Sequence, residues 1–207
     1  MVIKELDLKT NNPLTLKIEV KDPENSLKQY EIIGVDGRSY FRRYTTDNRI
    51  LINLPIHSRK IVVYVSKGAL ASILQMPLEF PNLPYIDTPE KFRTYEIEDF
   101  KVFENNRMNS PARMYPGKPV IEINREKMQK YPVPVQNFIK YHEVGHYFFD
   151  DEIKADTWAT ITFLNRGYNL SSAWYSLIDV LGKSKENVKR MIAQNKLINE
   201  INQYLYK

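Results

Sequence analysis

Four of the twelve prolines fall in the single stretch 77–89, as Pro77, Pro81, Pro84 and Pro89. Proline fixes its own φ and carries no N–H donor, so regular structure is interrupted there. The hydrophobic pattern also changes period across the stretch. Before it, Leu14, Leu16, Ile18 and Val20 alternate with Thr15, Lys17 and Glu19, the period of a half-buried strand. The same reading predicts strands over 30–35, 38–44, 50–54 and 60–65. Asp36-Gly37 stands between two of them as a two-residue hairpin turn. A small antiparallel sandwich or open barrel over residues 1–76 is the expectation.

Beyond the prolines, residues 96–103, 112–115 and 119–123 read as strands, with Pro116-Gly117-Lys118 as a turn. A short helix capped by Asn124 stops before Tyr131-Pro132. Pro134 suits the first turn of the next helix, expected to run to about residue 149. That helix carries Val135, Phe138, Ile139, Val144, Phe148 and Phe149 nearly all round it, which predicts burial. A third helix follows from about 151 to 166 and ends at Gly167. A fourth is capped by Ser171 or Ser172, and a fifth runs from Ser184 to the C-terminus. The predicted class is α+β. An N-terminal antiparallel β domain (1–76) and a proline-rich linker (77–89) precede a compact domain (90–207) of a small sheet plus about five helices.

The chain has no cysteine, so any metal must be held by His, Asp or Glu, and no disulfide is possible. Thirty basic residues against 25 acidic ones leave +5, but they are scattered rather than striped, which argues against a nucleic-acid partner. The opening residues alternate charged and apolar side chains, unlike an export signal. The apolar run 61–65 is too short to span a bilayer. A cytoplasmic-type environment and no membrane partner are the expectations.

The chemistry concentrates on the buried second helix. At about 3.6 residues per turn, His142 and His146 share one side, about one turn apart, and can converge on one cation. Glu143 is turned about 100° from His142, off the ion but within reach of a water upon it. Gly145 costs a helix about 1 kcal/mol against alanine, which points to close packing beside the pair. Two histidines and a glutamate can fall in this order on a structural helix. Against that, two of only three histidines form the pair, the helix is otherwise apolar, and carboxylates follow closely. Burying such groups is unfavourable without a partner, and a divalent cation supplies one. The remaining His57 reads as a surface or satisfied histidine.

A catalytic zinc takes three protein ligands and keeps one open position. Glu152 and Asp156, four apart on the third helix, can both face the pair. Glu152 is favoured as third ligand and Asp156 as the acceptor behind a ligand imidazole, the reverse assignment staying open. Asp150 and Asp151 read as acids at a helix start.

The string His142-Glu143-Val144-Gly145-His146 followed by Glu152-Ile153-Lys154-Ala155-Asp156 resembles the zincin metallopeptidases, especially compact gluzincin-like proteins. The likeness covers about residues 110–168. It implies zinc on His142, His146 and Glu152, Glu143 as general base, Asp156 as support for a ligand histidine, and a peptide or protein substrate. It also implies that a strand before the helix forms the sheet edge that binds the substrate, for which residues 119–124 are the candidate. The interval from His146 to Glu152 equals that of the metzincins, but Phe149 stands where that family has a glycine. Tyr168 and Tyr175 are candidates for holding the tetrahedral intermediate. The rival expectation is a structural or interaction protein, for example a virion-associated phage particle component, that docks through its β domain and uses the zincin-like fold as scaffold.

Overall fold

The computed structural model describes residues 1–8, 12–85, 97–115, 117–181 and 184–205, with the backbone alone at 97, 204 and 205. Ten strands and five helices lie in that span, β first and α last. The architecture is mixed α+β. Residue contacts divide the chain into two compact units. One is Met1–Phe80 with the short segments Pro132–Pro134 and Arg166–Ser172, and the other is Pro81–Tyr131, Val135–Asn165 and Ala173–Lys207.

In the first unit, β1 (Val2–Asp7), β6 (Lys60–Val65), β3 (Lys28–Gly34) and β4 (Ser39–Thr45) form one antiparallel sheet in that order. A second antiparallel sheet runs β5 (Arg49–Leu54), β2 (Leu14–Lys21), β7 (Ala69–Pro77). Leu16 and Ile18 of β2, Ile52 of β5, Ile32 of β3 and Val63 of β6 belong to one buried cluster, so both sheets turn their apolar residues to a shared core. The alternation in β2 is the direct cause, because a period of two sends every second side chain to the same face. Lys28 is fully buried there. Its ammonium donates to Asp22 Oδ2 (2.9 Å), the Ser26 carbonyl (2.8 Å) and the Thr46 carbonyl (3.1 Å), which uses all three donors.

Two strands here escaped the sequence reading. β1 and β7 are sheet edges, exposed or half-exposed along their whole length, and their alternation is weak because neither face is fully buried. β7 takes in Pro77, which an edge accommodates. The hairpin at Asp36-Gly37 differs as well. Among the described residues the only non-glycine one with positive φ is Asn25, whereas a two-residue type I′ turn needs positive φ at both central positions. Gly37 alone is left-handed (φ 76°), Gly37 N–H donates to the Gly34 carbonyl, and the ladder shifts register between Ile32 and Ile33. The loop is therefore the longer kind, a turn closed by a left-handed glycine and a bulge.

In the second unit, β8 (Lys101–Glu104), β10 (Val120–Ile123) and β9 (Ala112–Met114) make a three-stranded sheet in that order, β10 parallel to β8 and antiparallel to β9. A 3-10 turn, Ile97–Asp99, precedes β8 where strand was expected, and Glu96 and Pro89 lie outside the described residues. Helix α1 (Arg125–Met128) is capped by Asn124, whose Oδ1 accepts from Lys127 N–H. α2 (Val133–Phe148) has no exposed residue. Asp151 caps α3 (Glu152–Asn165) by accepting from Lys154 N–H at 2.8 Å, and Gly167 closes it with φ 85°. α4 (Leu170–Val180) starts before Ser171 and Ser172, so neither serine caps it. Ser184 does cap α5 (Lys185–Leu205), accepting from Asn187 N–H. No helix among the described residues is long and apolar enough to cross a membrane.

Candidate metal centre

α2 delivers His142 and His146 on one face, and α3 delivers Glu152 from its first turn. The helices approach closely because Gly145 carries no side chain. A Cβ there would meet the Ala155 carbonyl oxygen at 2.8 Å and its Cα at 2.9 Å.

The two imidazoles face each other through Nε2 at 3.0 Å. His142 Nε2 lies 3.4 Å from Glu152 Oε2, and His146 Nε2 lies 3.5 Å from Glu152 Oε1. Each Nδ1 is turned to an acceptor. That of His146 faces the Phe149 carbonyl at 3.2 Å. That of His142 faces Asp156 Oδ1 at 2.8 Å, an ion-pair contact that departs from a linear hydrogen bond. With the ring protons on Nδ1, both Nε2 atoms present lone pairs to each other across 3.0 Å, which is repulsive unless a proton or a cation lies between them.

A zinc ion fits this donor set. Ligand atoms about 2.1 Å from a tetrahedral centre stand roughly 3.4 Å from one another. The Nε2–Nε2 separation of 3.0 Å, and the distance of each Nε2 from one oxygen of the Glu152 carboxylate, 3.4 Å to Oε2 and 3.5 Å to Oε1, lie near that value. Ligand atoms of His142, His146 and Glu152 lie mutually within 4.8 Å, the sole such grouping of three among the described residues. Asp156 stands behind His142, only 2% of its side chain exposed.

Burial works to lower the His142 imidazole, but Asp156 and Glu152 outweigh it and raise its pKa to about 9. Contact with His142, helped by Arg190 and both imidazoles, holds the Glu152 carboxyl down at about 2 despite partial burial.

Glu143 sits beside the pair on the same cleft, a space of about 340 Å³ that Ala112, Phe138, Ile139, Leu177 and Leu181 also line. Its Oε2 accepts from Met114 N–H of β9 at 2.7 Å. The strand expected at the sheet edge, residues 119–124, is not one. β10 is paired on both sides, and the edges are β8 and β9, of which β9 carries the cleft-lining Ala112. Asn124 N–H donates to the Pro111 carbonyl and Tyr115 N–H to the Val120 carbonyl, so the alternate residues Ala112 and Met114 turn their backbone groups outward.

Neither tyrosine candidate lines the cleft: Tyr168 is buried and Tyr175 half-buried elsewhere. His57 has a backbone carbonyl at each ring nitrogen, those of Ser58 and Asn12, both at 3.0 Å. Two participants were invisible in the sequence, the Met114 backbone N–H and Arg190 of α5, which reaches Glu152 and Asp156. An arginine on a helix rich in charge carries no local sign of its partner.

No protein-family model, curated protein or solved structure matches the chain. The functional reading therefore stands on the geometry and chemistry of the cleft.

Proposed function

We propose that this protein is a zinc-dependent peptidase of zincin-like design, with His142, His146 and Glu152 as ligands and Glu143 as general base. The observation that carries the reading is the opposed pair of Nε2 atoms 3.0 Å apart, each locked toward the cleft by an acceptor behind its Nδ1, with a carboxylate completing the triangle.

When bound, zinc supplies Lewis acidity, bringing a water's pKa towards roughly 7 and polarising a substrate carbonyl. The chain's own residues do the rest. Glu143 keeps Oε2 on Met114 N–H and leaves Oε1 to take a proton from the attacking water and return it to the departing amine. Asp156 holds His142 in the orientation that aims Nε2 at the cleft. The outward backbone groups of Ala112 give an extended peptide a strand to pair with, which holds it without demanding one sequence. The apolar side chains of Phe138, Ile139, Leu177 and Leu181 favour a substrate that presents an apolar side chain.

A second reading is a protein that keeps the ion without turnover and serves in an assembly, such as a virion. It is favoured by the first unit, Met1–Phe80, which among its described residues holds no metal-binding group and presents edge strands with exposed Ile3 and Leu74.

The test is zinc stoichiometry by elemental analysis on the wild type and His146→Ala, with cleavage of an unfolded protein assayed on the same preparations. One zinc per chain lost in His146→Ala, together with zinc-dependent cleavage, supports the peptidase. Stoichiometric zinc without cleavage supports the second reading, and a wild type that takes no zinc overturns both.

A further inference from the structure

We propose that Arg190 is a positioning residue of the metal centre, a single guanidinium that orients both the third ligand and the carboxylate behind the first. The inference rests on the zinc reading above and assigns a new part of that site.

Arg190 lies on α5 with 12% of its side chain exposed. Its Nε donates to Asp156 Oδ2 at 2.7 Å and its Nη2 to Asp156 Oδ1 at 2.8 Å, the two-pronged pairing for which a guanidinium is shaped. Its Nη1 stands 2.8 Å from Glu152 Oε2. Asp156 in turn faces Nδ1 of His142. Two of the three ligands are therefore steered from one side chain, His142 through Asp156 and Glu152 directly.

Glu152 needs such a tether. Its side chain is 48% exposed on the first turn of α3, where an unheld carboxylate samples several rotamers, and fixing it in advance lowers the entropy cost of taking up the ion. Lysine could not substitute, because a point donor on a flexible stem cannot span both carboxylates in fixed geometry. One helical turn further along both helices, Gln194 donates to the Thr160 hydroxyl, a second buried link between α5 and α3. That link does not involve Arg190.

Charge and orientation pull in opposite directions, which makes the proposal testable. Glu143, Glu152 and Asp156 against Arg190 leave two negative charges when both imidazoles are neutral, the complement of one divalent cation. If Arg190 acted only as a positive charge beside the ion, removing it would tighten zinc. If it positions the ligands, removing it weakens zinc.

The experiment measures zinc dissociation constants by chelator competition on the full chain for the wild type, Arg190→Met and Arg190→Lys, with the melting temperature of each metal-free protein. A rise of about 10- to 100-fold in the constant for Arg190→Met is expected, the usual range for groups that orient ligands. Arg190→Lys keeps the positive charge beside the ion but loses the fork that spans both carboxylates, so it should weaken zinc at least as much as Arg190→Met. The pair Thr160→Val and Gln194→Leu should lower the metal-free melting temperature while leaving the zinc constant within about twofold, which separates helix docking from ligand positioning. Unchanged or tighter zinc in both Arg190 variants overturns the assignment, whereas no zinc in the wild type overturns the metal centre itself.

Discussion

A β-carbon on Gly145 would stand 2.8 Å from the carbonyl oxygen of Ala155. That contact sets how near α3 comes to α2, and so whether the carboxylate of Glu152 reaches the histidine pair. Gly145→Ala gains about 1 kcal/mol of helix propensity but forces backbone apart at a cost of about 1–3 kcal/mol. We expect net destabilisation of about 1 kcal/mol in denaturant titration and weaker zinc binding. A more stable variant with unchanged zinc affinity would show that the close approach is not needed.

Glu143→Gln keeps the shape of the side chain and its contact with Met114 but cannot take a proton. It should retain full zinc stoichiometry and lose at least about a hundredfold in peptide cleavage, the lower range for a positioned general base. Equal turnover in the two proteins would remove Glu143 from the mechanism.

The raised pKa of His142, about 9, and the depressed pKa of Glu152, about 2, make the ion-free protein respond to pH at both ends. A raised histidine contributes stability that is complete below its unfolded value of 6.5 and is lost as pH climbs through 9. A depressed glutamate contributes stability that is present above its unfolded value of 4.5 and is lost as pH falls through 2. Chemical denaturation of the metal-free protein should therefore show a plateau between about pH 4.5 and 6.5, a decline as pH rises from 6.5 to 9, and another as it falls from 4.5 towards 2. If His142 is a zinc ligand, the ion displaces its proton, and zinc affinity should tighten by about tenfold per pH unit between 7 and 9. A pH-independent zinc constant over that range would refute the competition.

Met114 donates its N–H outward to Glu143 rather than into the ladder with β10. Met114→Pro therefore removes the Glu143 contact without costing a strand hydrogen bond. Zinc content should be unchanged and cleavage should fall at saturating substrate. Full activity in this variant would show that the base needs no such anchor.

The elements that were legible before the structure are those set by neighbours in the chain. β2, β3 and β6 follow from alternation, and α1 and α5 from the side chains of Asn124 and Ser184 at their first turns. The edge strands β1 and β7, the longer loop at Gly37 and the central position of β10 were not legible, because each depends on what packs or pairs from far along the chain.

The same division runs through the site. The spacing of His142, Glu143 and His146 is decided by the sequence itself, since about 3.6 residues per turn puts two imidazoles on one face wherever that helix lies. Which carboxylate meets them is not local. Glu152 faces both Nε2 atoms and Asp156 faces Nδ1 because Gly145 lets α3 settle on α2, and Arg190 arrives because α5 packs along α3. Local covalent geometry fixes the first kind of relationship, whereas the second is chosen by the packing of apolar faces, which sequence separation does not reveal.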